Sequence, residues 1–298
     1  MQKYIFQLLI LSTSLVQAHA QPFDSLNIIK SGTATIYYSA GHEQRASTIA
    51  KQVEKAIAFY QGLLNFKPVV TLLVLSSSDW NRYTTMGVVY GMPHFNAANK
   101  TLFVAAEDNP FWKSFLPPLD QLPAELRATI KKVYKNKDGN LSMQAFFDLL
   151  AIHELGHAFH IQGGLNMQRK WMGELFVNIL LHTYIAEKEP ALLPALTLFP
   201  KMVIAGGSKE FKFTSLQDME QRYEEIGRDY PKNYGWYQCR WHSAAASIYN
   251  AAGKQVCKKL WVAFKNKKER LTDKQLISFL EVAADKTVAD VIKKWDTN

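Results

Sequence analysis

Apolar and polar residues follow two different periods along this chain, and the change from one to the other divides it. Residues 33–39 alternate and are rich in β-branched and aromatic side chains, which predicts a strand. Glu43–Leu64 then carries Ile49, Val53, Ile57 and Tyr60 at helical spacing. Residues 69–75 form an unbroken apolar run between Pro68 and Ser76-Ser77-Ser78, so they predict a buried strand. Residues 79–83 predict a short helix, residues 87–99 an irregular stretch around Gly91-Met92-Pro93, and Thr101–Ala105 a further strand.

Beyond this point the two-residue period disappears. Residues 110–123 are aromatic and proline-rich and read as a loop, and residues 124–134 as a basic helix. After the turn at Asp138-Gly139-Asn140, Ser142 is the expected N-cap of an apolar helix running to about Gln162. Gly163-Gly164 sets off a second apolar helix from Lys170. Helical spacing recurs over residues 191–198, Leu216–Asp229, from Tyr234 to just before Gly253, and over residues 255–267, 273–284 and 288–295. The expected fold class is α+β: a mixed α/β sheet subdomain over about 21–140, then a mainly helical subdomain over about 141–298, together forming one domain.

Composition adds that 298 residues, 48% hydrophobic and 20% charged, can bury a large core, which excludes an intrinsically disordered chain. Residues 1–20 differ from the rest. Lys3 precedes an apolar run over 4–16 and the small-residue pattern Ala18-His19-Ala20, which predicts a cleaved secretory signal and a mature start near Gln21. The run is short for a membrane span, and no cysteine follows it to take a lipid. The expected location is secreted or periplasmic, with no stable membrane insertion after cleavage.

The formal charge is +9 and drops to +8 when Lys3 leaves with the signal. Its lysines cluster at 131, 132, 135, 137, 254, 258, 259 and over 265–270, mostly on solvated helix faces, where they could attract acidic peptides or an anionic envelope. No nucleic-acid motif accompanies them. Cys239 and Cys257 are the only cysteines and leave two readings open, one disulfide or two buried thiols.

The chemistry concentrates in Ile152-His153-Glu154-Leu155-Gly156-His157. Histidines four apart on a helix lie one turn above each other, so both imidazoles reach one ion, and Glu154 beside the first can take a proton from an activated water. A zinc site needs a third ligand. The following helix offers Glu174, with Asn178 on the same face to accept the ring N–H of a ligand histidine. His160 competes for the third place but lies nearly two turns from His153. Asp138-Gly139 lacks the other ligands of a calcium loop.

With these residues the chain resembles the gluzincin metallopeptidases, the superfamily of thermolysin and the leukotriene-hydrolase-like aminopeptidases, in which H-E-x-x-H is followed by a helix carrying a glutamate ligand. Asn178 departs from the aspartate of thermolysin-like members. The resemblance implies Zn2+ held by His153, His157 and Glu174, Glu154 as general base, a peptide or protein substrate, and Thr101–Ala105 as the edge strand beside the cleft. It also implies a tyrosine that donates to the oxyanion. Tyr237 is the match and Tyr234 the second choice, with His242 next. Gly91-Met92-Pro93-His94-Phe95 keeps only the glycine and methionine of the aminopeptidase G-x-M-E-N stretch, so capture of a substrate amino terminus is not implied. His94 and His182 read as core or surface histidines. The expected function is a zinc-dependent metallopeptidase; the alternative is a weak or inactive zinc-binding protein that keeps the scaffold for envelope interactions.

Overall fold

Five short strands in the first third of the chain pair into one mixed sheet: β1 (Asn27–Lys30), β2 (Thr35–Tyr38), β3 (Thr71–Leu75), β4 (His94–Asn96) and β5 (Thr101–Ala105), in the order β1-β2-β3-β5-β4. The structure, a computed structural model, describes residues 23–30, 34–84, 87–136 and 138–297. The expected signal over 1–20, the start at Gln21, Thr33 and Lys137 lie outside the described residues. Strands β2, β3 and β5 run parallel, with Leu73 of β3 between Tyr37 and Phe103. Parallel strands need a crossover, and α1 (Glu43–Leu64) supplies it, burying Ile49, Val53, Ile57 and Tyr60 as the spacing predicts. Strands covered on both faces carry continuous apolar runs, which explains why Leu72–Leu75 is buried without alternation.

The sheet corrects one expectation. Thr101–Ala105 is an interior strand, buried at all five positions between β3 and β4. The edge is β4, three residues inside the stretch that reads as irregular. A strand this short holds barely one period of alternation, so its pairing with β5 defines it, not its sequence. The same holds for β1, which the pattern misses.

Helices fill the rest: α2 (Ser77–Tyr83), α3 (Pro110–Lys113), α4 (Ala124–Val133), α5 (Gln144–Gln162), α6 (Lys170–Lys188), α7 (Leu193–Ala205), α8 (Leu216–Asp229), α9 (Pro231–Ala252), α10 (Gln255–Asn266), α11 (Asp273–Ala283) and α12 (Lys286–Lys293). The described residues form the expected α+β arrangement, with a small mixed sheet near the N-terminus followed by helices. Two details differ from expectation. A short helix, α3, interrupts the expected loop at 110–123. Met143, not Ser142, sits at the N-cap of α5, although Ser142 Oγ accepts the Gln144 N–H at 3.1 Å and donates to Asp108 at 2.7 Å.

Helices α5 and α6 are the centre of the apolar core. In α6 every residue from Trp171 through Ile185 is buried, the mark of a helix with neighbours all round. They approach closely at Gly156, where a Cβ would stand 2.9 Å from the Val177 Cβ. Arg45 of α1 fastens α5 to the sheet: it forks onto Asp148, with Nη1 2.7 Å from Oδ2, and reaches the Ala105 carbonyl at 3.4 Å. Breaking a buried pair of this kind costs about 3–5 kcal/mol, so this contact fixes where the motif helix sits relative to β5 and β4.

Cys239 and Cys257 are both free and buried, so of the two readings the disulfide is not formed; Cys257 Sγ donates to Thr183 Oγ1 at 3.3 Å. Among the described residues no helix is long and apolar enough to cross a membrane.

Candidate metal centre

Helices α5 and α6 carry the three expected ligands to one point. His153 Nε2 lies 3.1 Å and His157 Nε2 3.6 Å from the same oxygen, Glu174 Oε2. Zinc bonds of about 2.0–2.2 Å at tetrahedral angles separate neighbouring ligand atoms by about 3.3–3.5 Å. The observed distances bracket that edge length. A ligand atom from each of His153, Glu154 and His157 also lies within 4.8 Å of the other two.

The far sides of both imidazoles are engaged. Asn178 Oδ1 lies 3.2 Å from His153 Nδ1, and its role as acceptor follows from the amide's other end: Nδ2 donates to the Glu174 carbonyl at 3.0 Å and to Gln238 Oε1 at 3.2 Å. His153 therefore keeps its proton on Nδ1 and turns the Nε2 lone pair inward. His157 Nδ1 lies 3.0 Å from His160 Nε2. Burial, and then His157, lower the pKa of His160 to about 3, so it is neutral and accepts the His157 N–H. His160 thus stands behind His157 and orients its imidazole, instead of facing Glu174 Oε2 beside it.

Two imidazole lone pairs and a carboxylate oxygen now face one another inside the protein, which is stable only with positive charge among them. In the metal-free chain protons take that place. Burial opposes charge on His157, but the adjacent Glu174 carboxylate raises its pKa to about 9. Burial would raise Glu174, yet His157 and His153 hold it well below the ordinary carboxylate range. The donor set, two nitrogens and one oxygen converging at tetrahedral spacing, fits a zinc ion.

Around Glu174 lies a second layer that the sequence reading only half anticipates. Gln238 Nε2 donates to Glu174 Oε2 at 2.8 Å and to the Tyr234 hydroxyl at 2.9 Å, and the Tyr223 hydroxyl donates to Glu174 Oε1. Tyr234, Gln238 and His242 recur every four residues and form one polar stripe on α9, a signal available in the sequence. Tyr223 on α8 gives no such signal.

The first-choice tyrosine is on the wrong stripe. Tyr237 is buried, stacks on Trp295 with ring centroids 5.8 Å apart and planes 9° apart, and donates its hydroxyl to the Ser215 carbonyl at 2.8 Å. It belongs with Trp241, four residues on, on the aromatic face of α9, and its immediate neighbour Gln238 points about 100° around the helix toward Glu174. The oxyanion role is therefore not assigned to Tyr237. His242 stands 6.2 Å from His153, ring to ring, and burial lowers its pKa to about 3, so it is a neutral neighbour. His94 stacks on Phe103 and His182 packs on Tyr249, as core histidines do.

Glu154 looks from α5 toward the sheet edge. Phe95 N–H of β4 donates to its Oε2 at 3.0 Å, which leaves the other carboxylate oxygen to serve a water. No protein-family model matches the chain, and no curated protein matches it. The reading of the site rests on its geometry.

Because the proton on His157 must leave before a metal enters, apparent zinc affinity should rise about tenfold per pH unit between pH 6 and 8.5, flattening toward pH 9. The same raised pKa stabilises the metal-free fold below about pH 6.5 and loses that contribution as pH rises to about 9. Metal-buffered titrations at several pH values check this; a flat profile would remove His157 from the ligand set.

Proposed function

We propose that the chain is an exported zinc-dependent peptidase of the gluzincin type, with His153, His157 and Glu174 as ligands and Glu154 as general base. One observation carries this reading. Glu174 Oε2 meets the Nε2 atoms of both motif histidines at 3.1 and 3.6 Å, while both Nδ1 atoms are engaged elsewhere.

When bound, zinc supplies a Lewis acid that makes an adjacent water acidic near neutral pH and polarises a carbonyl. The chain's own residues supply the rest. Glu154 has a carboxylate oxygen free of the Phe95 contact, and this oxygen takes the water's proton and returns it to the departing amine. Strand β4 is the outer strand of the sheet beside that carboxylate, and an extended peptide adding there as a further strand would take over the Phe95 N–H that Glu154 now accepts. Edge pairing suits main-chain recognition, which makes peptides and proteins the substrate class. Tyr234 replaces Tyr237 as the candidate donor to the oxyanion. Its contact to the Tyr223 hydroxyl, at 3.3 Å, is the longest in the network and the easiest to exchange for a developing negative charge.

The N-terminal pattern over 1–20 supports export, and mass spectrometry of protein from its own host should find the mature chain starting near Gln21. A retained Met1 would end that part of the reading.

Glu154→Gln should keep one zinc per chain while cleavage of a diverse peptide library drops by orders of magnitude. Zinc binding with no cleavage by the wild type would favour the alternative of a zinc-binding scaffold protein. Two tyrosine variants separate the two faces of α9. Tyr234→Phe should lower kcat by roughly tenfold to a thousandfold with zinc content unchanged. Tyr237→Phe should leave kcat within a few-fold and lower unfolding free energy by about 1 kcal/mol for the lost bond to Ser215. The reverse pattern, read by steady-state kinetics and thermal unfolding, would return the role to Tyr237.

A further inference from the structure

We propose that Tyr223 is a positioning residue that keeps Glu174 a one-oxygen ligand and so preserves an open place on the metal. The inference rests on the metal site proposed above. It starts from the two oxygens of Glu174, which have different surroundings. Oε2 faces both histidine Nε2 atoms and receives Gln238 Nε2 at 2.8 Å. Oε1 receives the hydroxyl of Tyr223, which reaches it from a different helix.

Counting protons fixes the direction of every bond in this network. Gln238 spends one amide hydrogen on Glu174 Oε2 and the other on the Tyr234 oxygen. Its carbonyl oxygen accepts from Asn178. Tyr223 has a single hydroxyl hydrogen, and it goes to Glu174 Oε1. The contact between the two tyrosine hydroxyls, at 3.3 Å, must therefore be donated by Tyr234. The tyrosine pair thus forms a chain that ends on Oε1, and the carboxylate cannot turn toward the ion without breaking it.

The backbone is arranged to deliver that hydroxyl. Helix α8 departs from helical geometry at Arg222, with φ −123° and ψ 25°, immediately before Tyr223. The helix is also fastened to the first turn of α6, the helix that carries Glu174. Lys170 N donates to Glu220 Oε2 at 2.6 Å and Lys170 Nζ pairs with Glu224 at 2.7 Å, while Arg270, from the connection before α11, pairs with Glu220 at 2.7 Å. Tyr223 and Glu174 therefore move together.

The coordination consequence is direct. A carboxylate that binds through both oxygens takes two places on the ion, whereas catalytic zinc sites keep three protein ligands and one open place. With Oε2 facing the histidines and Oε1 bonded to Tyr223, the two-oxygen mode is disfavoured, because the carboxylate must turn and strain that bond to reach it. The hydroxyl is needed for where it holds an oxygen, not for any contact with substrate.

Cobalt(II) in place of zinc reports the geometry, since four-coordinate Co2+ absorbs visible light more strongly than five-coordinate Co2+. The protein loaded with one Co2+ should show the intense four-coordinate spectrum in the wild type. In Tyr223→Phe the absorption should fall roughly two- to fivefold, with Co2+ still bound, as Glu174 turns its second oxygen inward. Glu220→Gln, in the half-buried clip between α8 and α6, should shift the spectrum the same way by a smaller amount, since it lies outside the apolar core. Wild-type spectra in both variants would overturn the proposal. Failure of the wild-type chain to take up one Co2+ would overturn the metal reading beneath it, a result distinct from the first.

Discussion

Three electron-rich atoms, two imidazole nitrogens and a carboxylate oxygen, are held with Glu174 Oε2 3.1 and 3.6 Å from its two partners in a largely buried site. Placed there without positive charge, they would repel one another in a medium that screens poorly. The site therefore calls for positive charge, which protons supply in the metal-free chain, and the surrounding structure keeps the three atoms together. Asn178 and His160 hold the rings by their far nitrogens, and Gln238 and Tyr223 hold the carboxylate by its free lone pairs. Asn178, Gln238 and Tyr223 could lower the tension by turning, and each is held by a further bond.

The packing that supports this is unusual in how little tolerance it has. Gly156 lies between Glu154 and His157, and any side chain there would collide with Val177 on the facing helix. The helix pair must be close for Glu174 to reach across, and only glycine permits the approach. On the other side, the fork from Arg45 to Asp148 locks α5 to the sheet, which places Glu154 within reach of Phe95 at the edge strand. The close helix pair that brings Glu174 to the two histidines and the outer strand beside Glu154 thus follow from two contacts, one a steric fit and one a buried ion pair.

Helix α9 presents an aromatic packing face and a polar face side by side. Tyr237 and Trp241 pack with Trp295 in an aromatic cluster that anchors the C-terminal helices. Tyr234 and Gln238, one helical step around, reach the carboxylate layer. The segment 234–242 carries tyrosines on both faces, and only the polar stripe of Tyr234, Gln238 and His242 separates them in the sequence. The family resemblance points to Tyr237, whereas the docked helix turns Tyr237 to the Ser215 carbonyl and Tyr234 to Gln238.

The sequence alone determined whatever depends on local spacing. His153 and His157 share a face because four residues make about one turn, Asn178 follows Glu174 for the same reason, and the long apolar runs became the buried strand β3 and the core helices α5 and α6. Glu174 was legible because a short connection after Gln162 makes adjacent helices neighbours. The tertiary structure alone decided what depends on the approach of distant segments. It made β4 the sheet edge through three residues paired to β5, brought Tyr223 to Glu174 from 49 residues away, and turned Tyr237 toward Ser215. The physical reason is the same in each case. Periodicity fixes which side chains share a face of one element, but hydrogen bonds between elements depend on how those elements dock, and docking is set by side-chain volumes summed over the whole core.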